Sequence, residues 1–128
     1  MTLTKEEWAE KYIGAFNRGD FSFTDYYADD VVLYLGQKAV IRGKQGIQDF
    51  YTGVFAKVRE TLTILDVVLD ETGLAGRVAT EFYALEDWPD FIAGPMKKGD
   101  SIHIESLILY RIGPDGKFTE IRSARNKG

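Results

Sequence analysis

Two tyrosines carry the first chemical suggestion in this sequence. Tyr12 lies in KYIGAFNRGD, within an apolar set of Trp8, Tyr12, Ile13, Ala15 and Phe16 that repeats at three and four, the pattern of one buried helix face. Tyr51 lies in a second such set, with Ile47, Phe50, Tyr51, Val54, Phe55 and Val58 at i, i+3, i+4, i+7, i+8 and i+11,. A buried phenol needs a hydrogen-bond partner that Leu or Phe would not, and an unpaired one costs roughly 1 to 3 kcal/mol. Two phenols on separate helices can satisfy one another. Tyr51 donating to the Tyr12 oxygen would leave the Tyr12 proton free for a ligand oxygen, the arrangement of a donor that polarises a carbonyl. The structural alternative is a pair that shares its bonds with backbone or buried water.

Such a donor needs a proton acceptor nearby, and the sequence offers several. His103 is the only histidine. In SIHIESLILYRI the even positions, from Ile102 to Ile112, form the more apolar face, so alternation sends His103 and Glu105 to the other side unless a bulge reverses the parity. His103 is kept as the first alternative base and third catalytic candidate. Glu81 has the parity of a residue facing away from a cavity, where Arg77 or an interface cation could pair with it. Asp87 and Asp90 flank Trp88-Pro89 as turn formers that could also reach a pocket. On the last strand, alternation sends Ile121, Ser123 and Arg125 inward and Arg122 outward, and Arg125 could receive an anionic or carbonyl group or a salt bridge. One histidine and no cysteine provide no transition-metal cluster, so no metal and no cofactor are expected,.

The bulk numbers set the frame for these residues. A chain of 128 residues with 45% hydrophobic content supports one core, hence one domain spanning 1–128,. A net charge of -4 with no basic run beyond Lys97-Lys98 gives no footprint for a nucleic-acid backbone,. The start MTLTKEEW is polar and acidic, unlike a signal peptide, and nothing approaches 18 consecutive apolar residues,. A soluble, cytoplasmic protein without a membrane partner is the expectation.

The elements that must position the candidates follow from capping, period and turn chemistry. Thr4 and Glu7 have the capping-box spacing, and Gly19 can supply the left-handed residue that ends the helix. Phe23, Tyr26 and Tyr27 read as a short second helix of about two turns closed by Asp29-Asp30. VVLYLG then reads as a strand, QKAVIRG (37–43) as its short partner, and residues 47–58 as the clearest helix. LTILDVVL, LAGRVATEFYAL, SIHIESLILYRI and KFTEIRSAR read as four antiparallel strands joined by DETG, a long loop and GPDG. The loop EDWPDFIAGPMKKGD, 86–100, is either a lid over a pocket mouth or a packed cover for a sheet edge. The sum is α+β, with the helices segregated on one face.

The order of KYIGAFNRGDFSFTDYYADDVVLYL, GKQGIQDFYTGVF and GPDGKFTEIRSA resembles the ketosteroid isomerase and SnoaL-like superfamily, named after nuclear transport factor two, over nearly the whole chain. The resemblance implies a cone: three helices packed on a strongly curved, mostly antiparallel sheet of about six strands, enclosing an apolar pocket. It also implies that Tyr12 donates to a substrate oxyanion with support from Tyr51. Leu35 and Ile108 stand at the places of the isomerases' two aspartates, which argues against ketosteroid isomerase activity itself. Around such a pocket the ligand-binding set is Trp8, Phe16, Leu35 and Phe55 from the first half of the chain. Phe82, Trp88, Ile108, Tyr110, Ser123 and Arg125 complete it.

The expected function is a cofactor-independent enzyme of isomerase, cyclase or dehydratase type, acting on a small apolar carbonyl-bearing or polycyclic ligand. The alternative is a non-catalytic ligand-binding or dimerisation domain of the same fold. Leu107 and Leu109, out of phase with the pocket-facing Ile108 and Tyr110, point to a homodimer through the uncovered sheet face.

Overall fold

Residues 4–127 are described by the computed structural model; the leader reading that rests on residues 1–3 lies partly outside them. Thr4 caps the first helix reciprocally, its hydroxyl accepting from the Glu7 N–H at 3.0 Å while the Glu7 carboxylate accepts from the Thr4 N–H at 3.2 Å. The helix continues through Lys5–Glu7 in α geometry, Trp8–Ile13 in π geometry and Gly14–Asn17 in α geometry. The π turn, invisible to a 3.6-residue pattern, carries Tyr12; wide turns of this kind are rare and recur at functional sites. Gly19, at φ 69°, ends the helix as its position suggested.

The second helix is tighter than expected and ends earlier in the chain. Phe21–Tyr26 forms a 3-10 helix, with the Asp20 carboxylate accepting from the Ser22 N–H at 2.9 Å. Tyr27 opens strand β1 (Tyr27–Leu35), so Asp29 and Asp30 lie within a strand instead of closing a helix. Pairing decides this: Tyr27 is in register with Phe118 across the sheet, and long-range pairing overrides a local helical period,. β2 (Ala39–Arg42) returns along β1, and Gly43, at φ 84°, turns the chain into the third helix, Lys44–Lys57. Val58 is not the end of that helix. It opens β3 (Val58–Leu69), four residues before the expected start.

β4 (Gly73–Ala84), β5 (Ser101–Ile112) and β6 (Phe118–Lys127) complete one mixed sheet of order β2-β1-β6-β5-β4-β3. β3 to β6 form the expected antiparallel meander, β1 pairs with β2 antiparallel, and β1 pairs with β6 in parallel. The α+β class with three helices stands, but the cone with its strongly curved sheet does not. The sheet is open, with β2 and β3 as unpaired edges, and it is neither strongly curled nor closed. Register shifts at Tyr27/Val32, Ile64/Asp66, Glu105/Ser106 and Arg111/Ile112 add twist locally,. A four-residue β2 presents too little ladder to close such a sheet.

One sheet face carries the helices and the core, where Trp8, Phe23, Phe118, Ile47, Leu74 and Val78 are fully buried. The β3 edge is covered in part by a side chain. The Asn17 amide donates to the Leu62 carbonyl at 2.9 Å, and its oxygen accepts from the Leu62 N–H at 2.8 Å, so Asn17 acts as one residue of a further strand,. This ties the end of the first helix to the edge of the sheet. Asn17→Ala should lower stability by roughly 1 to 3 kcal/mol, because it leaves two partly buried backbone groups unpaired. A lower urea midpoint at unchanged slope would show it.

Candidate functional site

A cavity of about 570 Å³ lies between the helices and the covered sheet face, within the size range of small-molecule sites. Its inner end is built from phenols. Tyr12 is buried, with the rings of Trp8, Phe23, Tyr26, Tyr27, Tyr110 and Phe118 at centroid distances of 5.5 to 6.4 Å. Its hydroxyl lies 2.7 Å from that of Tyr27 and accepts from Tyr110 at 3.4 Å. Tyr27 and Tyr110, not Tyr51, are therefore its hydrogen-bond partners. Tyr51 also lines the cavity, packing edge-on against Phe16 and Phe50 at 5.1 and 5.0 Å.

Burial pushes the pKa values of Tyr12, Tyr27, Tyr51 and Tyr110 well above that of a free phenol, so all four remain protonated donors at neutral pH. The cluster of Tyr12, Tyr27 and Tyr110 holds three hydroxyl protons and makes two internal bonds. One O–H, on Tyr12 or Tyr27 according to which of the two donates, is left for a ligand in the cavity that both line,. The Trp8 indole N–H finds no acceptor in hydrogen-bonding geometry, although it lies close enough to Tyr110 to offset part of that phenol's shift.

A carboxyl shares this cavity. Glu60 lies on β3 opposite Phe82, on the same face as Leu62 and Ile64, and it lines the wall. No hydrogen bond or ion pair to it exists among the described residues. It is half-buried, and desolvation by the surrounding protein raises its pKa from 4.5 to about 8,. It acts electrostatically on the Tyr51 and Tyr110 hydroxyls, which places it within range of the phenols.

The expected site residues divide by geometry. Tyr12, Phe16, Leu35, Tyr51, Phe82, Ile108, Tyr110, Ser123 and Arg125 line the cavity. Trp8 is fully buried behind Tyr12 and Tyr110, and Phe55 packs on Phe16 and Phe21, both outside the lining. Trp88 packs at a tilt against Phe91, 4.7 Å between centroids, with Lys57 over its ring. His103 is exposed on the opposite sheet face, 3.1 Å from the Glu81 carboxylate, so neither reaches the cavity. Asp87 accepts from the Lys98 N–H, and Asp90 is exposed. Arg77 pairs with Asp66 and Glu105 instead of Glu81. The loop 86–100 is tied by two backbone bonds between Trp88 and Met96, buries Phe91 and Met96, and lends Phe91, Ile92 and Ala93 to the cavity.

Glu60 and Tyr27 escape the sequence reading for one reason: each lies where an element boundary is misplaced. With β3 begun at Val58, Glu60 falls in phase with Leu62 and faces inward; Tyr27, paired with Phe118 before the irregularity in β1, is buried in the core. Among the described residues, no group of three His, Asp or Glu side chains is arranged to hold a metal ion.

A family model described as the SnoaL-like domain matches residues 9–121. Comparison with curated proteins found no match. Among solved structures, a candidate polyketide cyclase from Pseudomonas putida is 24% identical, with a TM-score of 0.81 over 98% of this chain and 92% of its own. A Mycobacterium tuberculosis protein in complex with estradiol-17beta-hemisuccinate is 19% identical, with a TM-score of 0.72 over 92% and 90%. A computationally designed 17-OHP binder is 18% identical, with a TM-score of 0.73 over 94% and 92%. No helix among the described residues is long and apolar enough to cross a membrane.

The raised pKa of Glu60 has a stability consequence of fixed sign. The folded chain holds a proton there that the unfolded chain has released, so stability falls as pH rises across the window from 4.5 to about 8,. Glu60→Gln should therefore raise the melting temperature, more at pH 9 than at pH 5. Thermal unfolding at the two pH values reads this difference.

Proposed function

Since this chain belongs to the SnoaL-like domain family, we propose that it is a cofactor-independent enzyme of isomerase, cyclase or dehydratase type. Its substrate is a small apolar molecule bearing a carbonyl, held in the cavity, and its chemistry is proton transfer beside that carbonyl. The observation that carries this reading is the Glu60 carboxyl, without a partner among the described residues, in one cavity with the Tyr12, Tyr27 and Tyr110 hydroxyls. Ligands named for two similar structures, a steroid hemisuccinate and 17-OHP, are compatible with an apolar polycyclic body.

Ionised Glu60 takes a proton from the carbon next to the ligand carbonyl. The C–H electron pair forms the C=C bond of an enolate, whose oxygen takes up the negative charge given up by Glu60. The spare phenol O–H donates to that oxygen as the charge develops, where a preorganised donor in a dry site is worth most. Glu60 then returns the proton, to a different carbon in an isomerisation. A pKa of about 8 leaves Glu60 able both to accept and to return a proton near neutrality,.

Deuterium uptake by methyl naphthyl ketone in heavy water, followed by proton NMR, tests the reading without knowledge of the natural substrate. The protein should accelerate exchange beside the carbonyl, with a rate that rises as pH passes through about 8, where Glu60 ionises,. Glu60→Gln should abolish the acceleration, and Phe in place of whichever of Tyr12 and Tyr27 holds the spare proton should reduce it by about 10² to 10³,. Binding of the ketone without accelerated exchange would favour the alternative, a non-catalytic ligand-binding domain.

A homodimer through the uncovered sheet face fits the apolar surface there. Val68 and Leu107 are 66% and 49% exposed, and Val68, Ala75 and Leu109 lie side by side across β3, β4 and β5. Burying such a patch is favourable. Sedimentation at micromolar concentration should give twice the 14.5 kDa chain mass, and Leu107→Glu should return it to one.

A further inference from the structure

We propose that the ligand of this cavity carries a carboxylate at the end nearest solvent, received at the cavity mouth by Lys38 and Arg125. The inference rests on the reading above in one respect, that a small apolar molecule occupies the cavity. Exposed lining residues mark the mouth, and they are Gly36, Gln37, Lys38 and Arg125. Lys38 comes from the turn between β1 and β2, Arg125 from the inward parity of β6 beside Ser123.

From these two elements both cations reach the same short segment. Lys38 Nζ donates to the Ile92 carbonyl at 3.0 Å, and an Arg125 guanidinium nitrogen donates to the Ala93 carbonyl at 3.2 Å. Consecutive carbonyls thus fasten both cations to one stretch of the mouth. A neutral carbonyl satisfies a proton of Lys38 without cancelling its charge, and no carboxylate among the described residues pairs with that side chain. A ligand carboxylate at the mouth gains charge-assisted hydrogen bonds from Lys38, with the Arg125 guanidinium held on the same segment,.

The rest of the lining agrees in sign. Lys38, Arg125 and Glu60 are its charged residue types, and burial keeps the Glu60 carboxyl mostly neutral at pH 7. A cationic mouth therefore opens into an aromatic interior on a chain whose net charge is -4, so overall charge does not account for it. An amphipathic acid matches both parts: its apolar body lies among Phe16, Phe50, Phe82 and Tyr51, and its head group stays at the mouth.

Pairs of naphthyl ketones test this, one member ending its alkyl chain in a carboxylate and the other in the methyl ester, over graded chain lengths. Fluorescence titration should find the best-fitting acid bound at least about tenfold more tightly than its ester, with the preference shrinking as salt rises. Lys38→Gln should weaken binding of the acid by about three- to tenfold and leave the ester unchanged. Lys98→Gln, an equal charge change away from the cavity, should alter neither.

Equal affinities for acid and ester, or equal losses in the two lysine variants, would overturn the inference. Deuterium exchange on the same ligands separates it from the reading beneath it. Glu60-dependent exchange of the ester with no preference for the acid sinks the carboxylate site and leaves the proton transfer. A Lys38-dependent preference for the acid without exchange keeps the site and sinks the proton transfer. Binding of neither ligand removes both.

Discussion

The structure depends on satisfying one hydroxyl away from water. Tyr12 sits on the first helix inside a ring of aromatic side chains, where its O–H would be costly without a partner,. Its two partners come from β1 and β5. The requirement therefore joins the helix to two strands that do not neighbour each other, with β6 between them. Phe118 of β6 fills that gap, packing on Tyr12, Tyr27 and Tyr110. A Phe at position 12 could occupy the same volume, but it would leave Tyr27 and Tyr110 to find other partners. The solution that protects the core also leaves one donor proton at the cavity's inner end.

The cavity follows from a mismatch of shapes. Three helical segments cover one face of an open six-stranded sheet, and the sheet does not curl far enough to bring its face against them everywhere. Bulky aromatics brace the helices away from the sheet at the Tyr12 end. The loop 86–100 closes the side with Phe91, Ile92 and Ala93. Glu60 sits against its intrinsic preference for water. With no partner among the described residues, a carboxyl in this wall destabilises the fold at alkaline pH,.

The opposite sheet face is built on other physics. Exposed leucines alternate with charged pairs: Arg77 spans Asp66 and Glu105, Asn126 donates to Glu105, and Arg122 lies over Tyr34 while pairing with Glu120. His103 and Glu81 belong to this face, where their pairing is between exposed groups and worth little by itself,. Alternation within one strand thus separates residues that a list of acids and bases would group together. Proximity to the phenols, not residue type, selects Glu60 from 20 acidic side chains.

The sequence by itself determined what depends on neighbours in the chain. The Thr4 and Glu7 cap, the Gly19 stop, the inward stripe bearing Tyr12, the long helix and the bounds of β5 all follow from spacings of a few residues,. So does the inward phase of Ser123 and Arg125. Tertiary structure decided what depends on pairing across the chain. Tyr27 is a strand residue because Phe118 lies beside it, and Val58 to Thr61 are extended because β4 continues alongside to Ala84. Those two boundary shifts supply the Tyr12 hydroxyl's partner and turn Glu60 inward, the latter because an unbroken period of two runs from Glu60 to Leu62,. The openness of the sheet is of the same kind. Whether two edge strands meet is a property of the whole order of pairings, and no local pattern in the sequence encodes it.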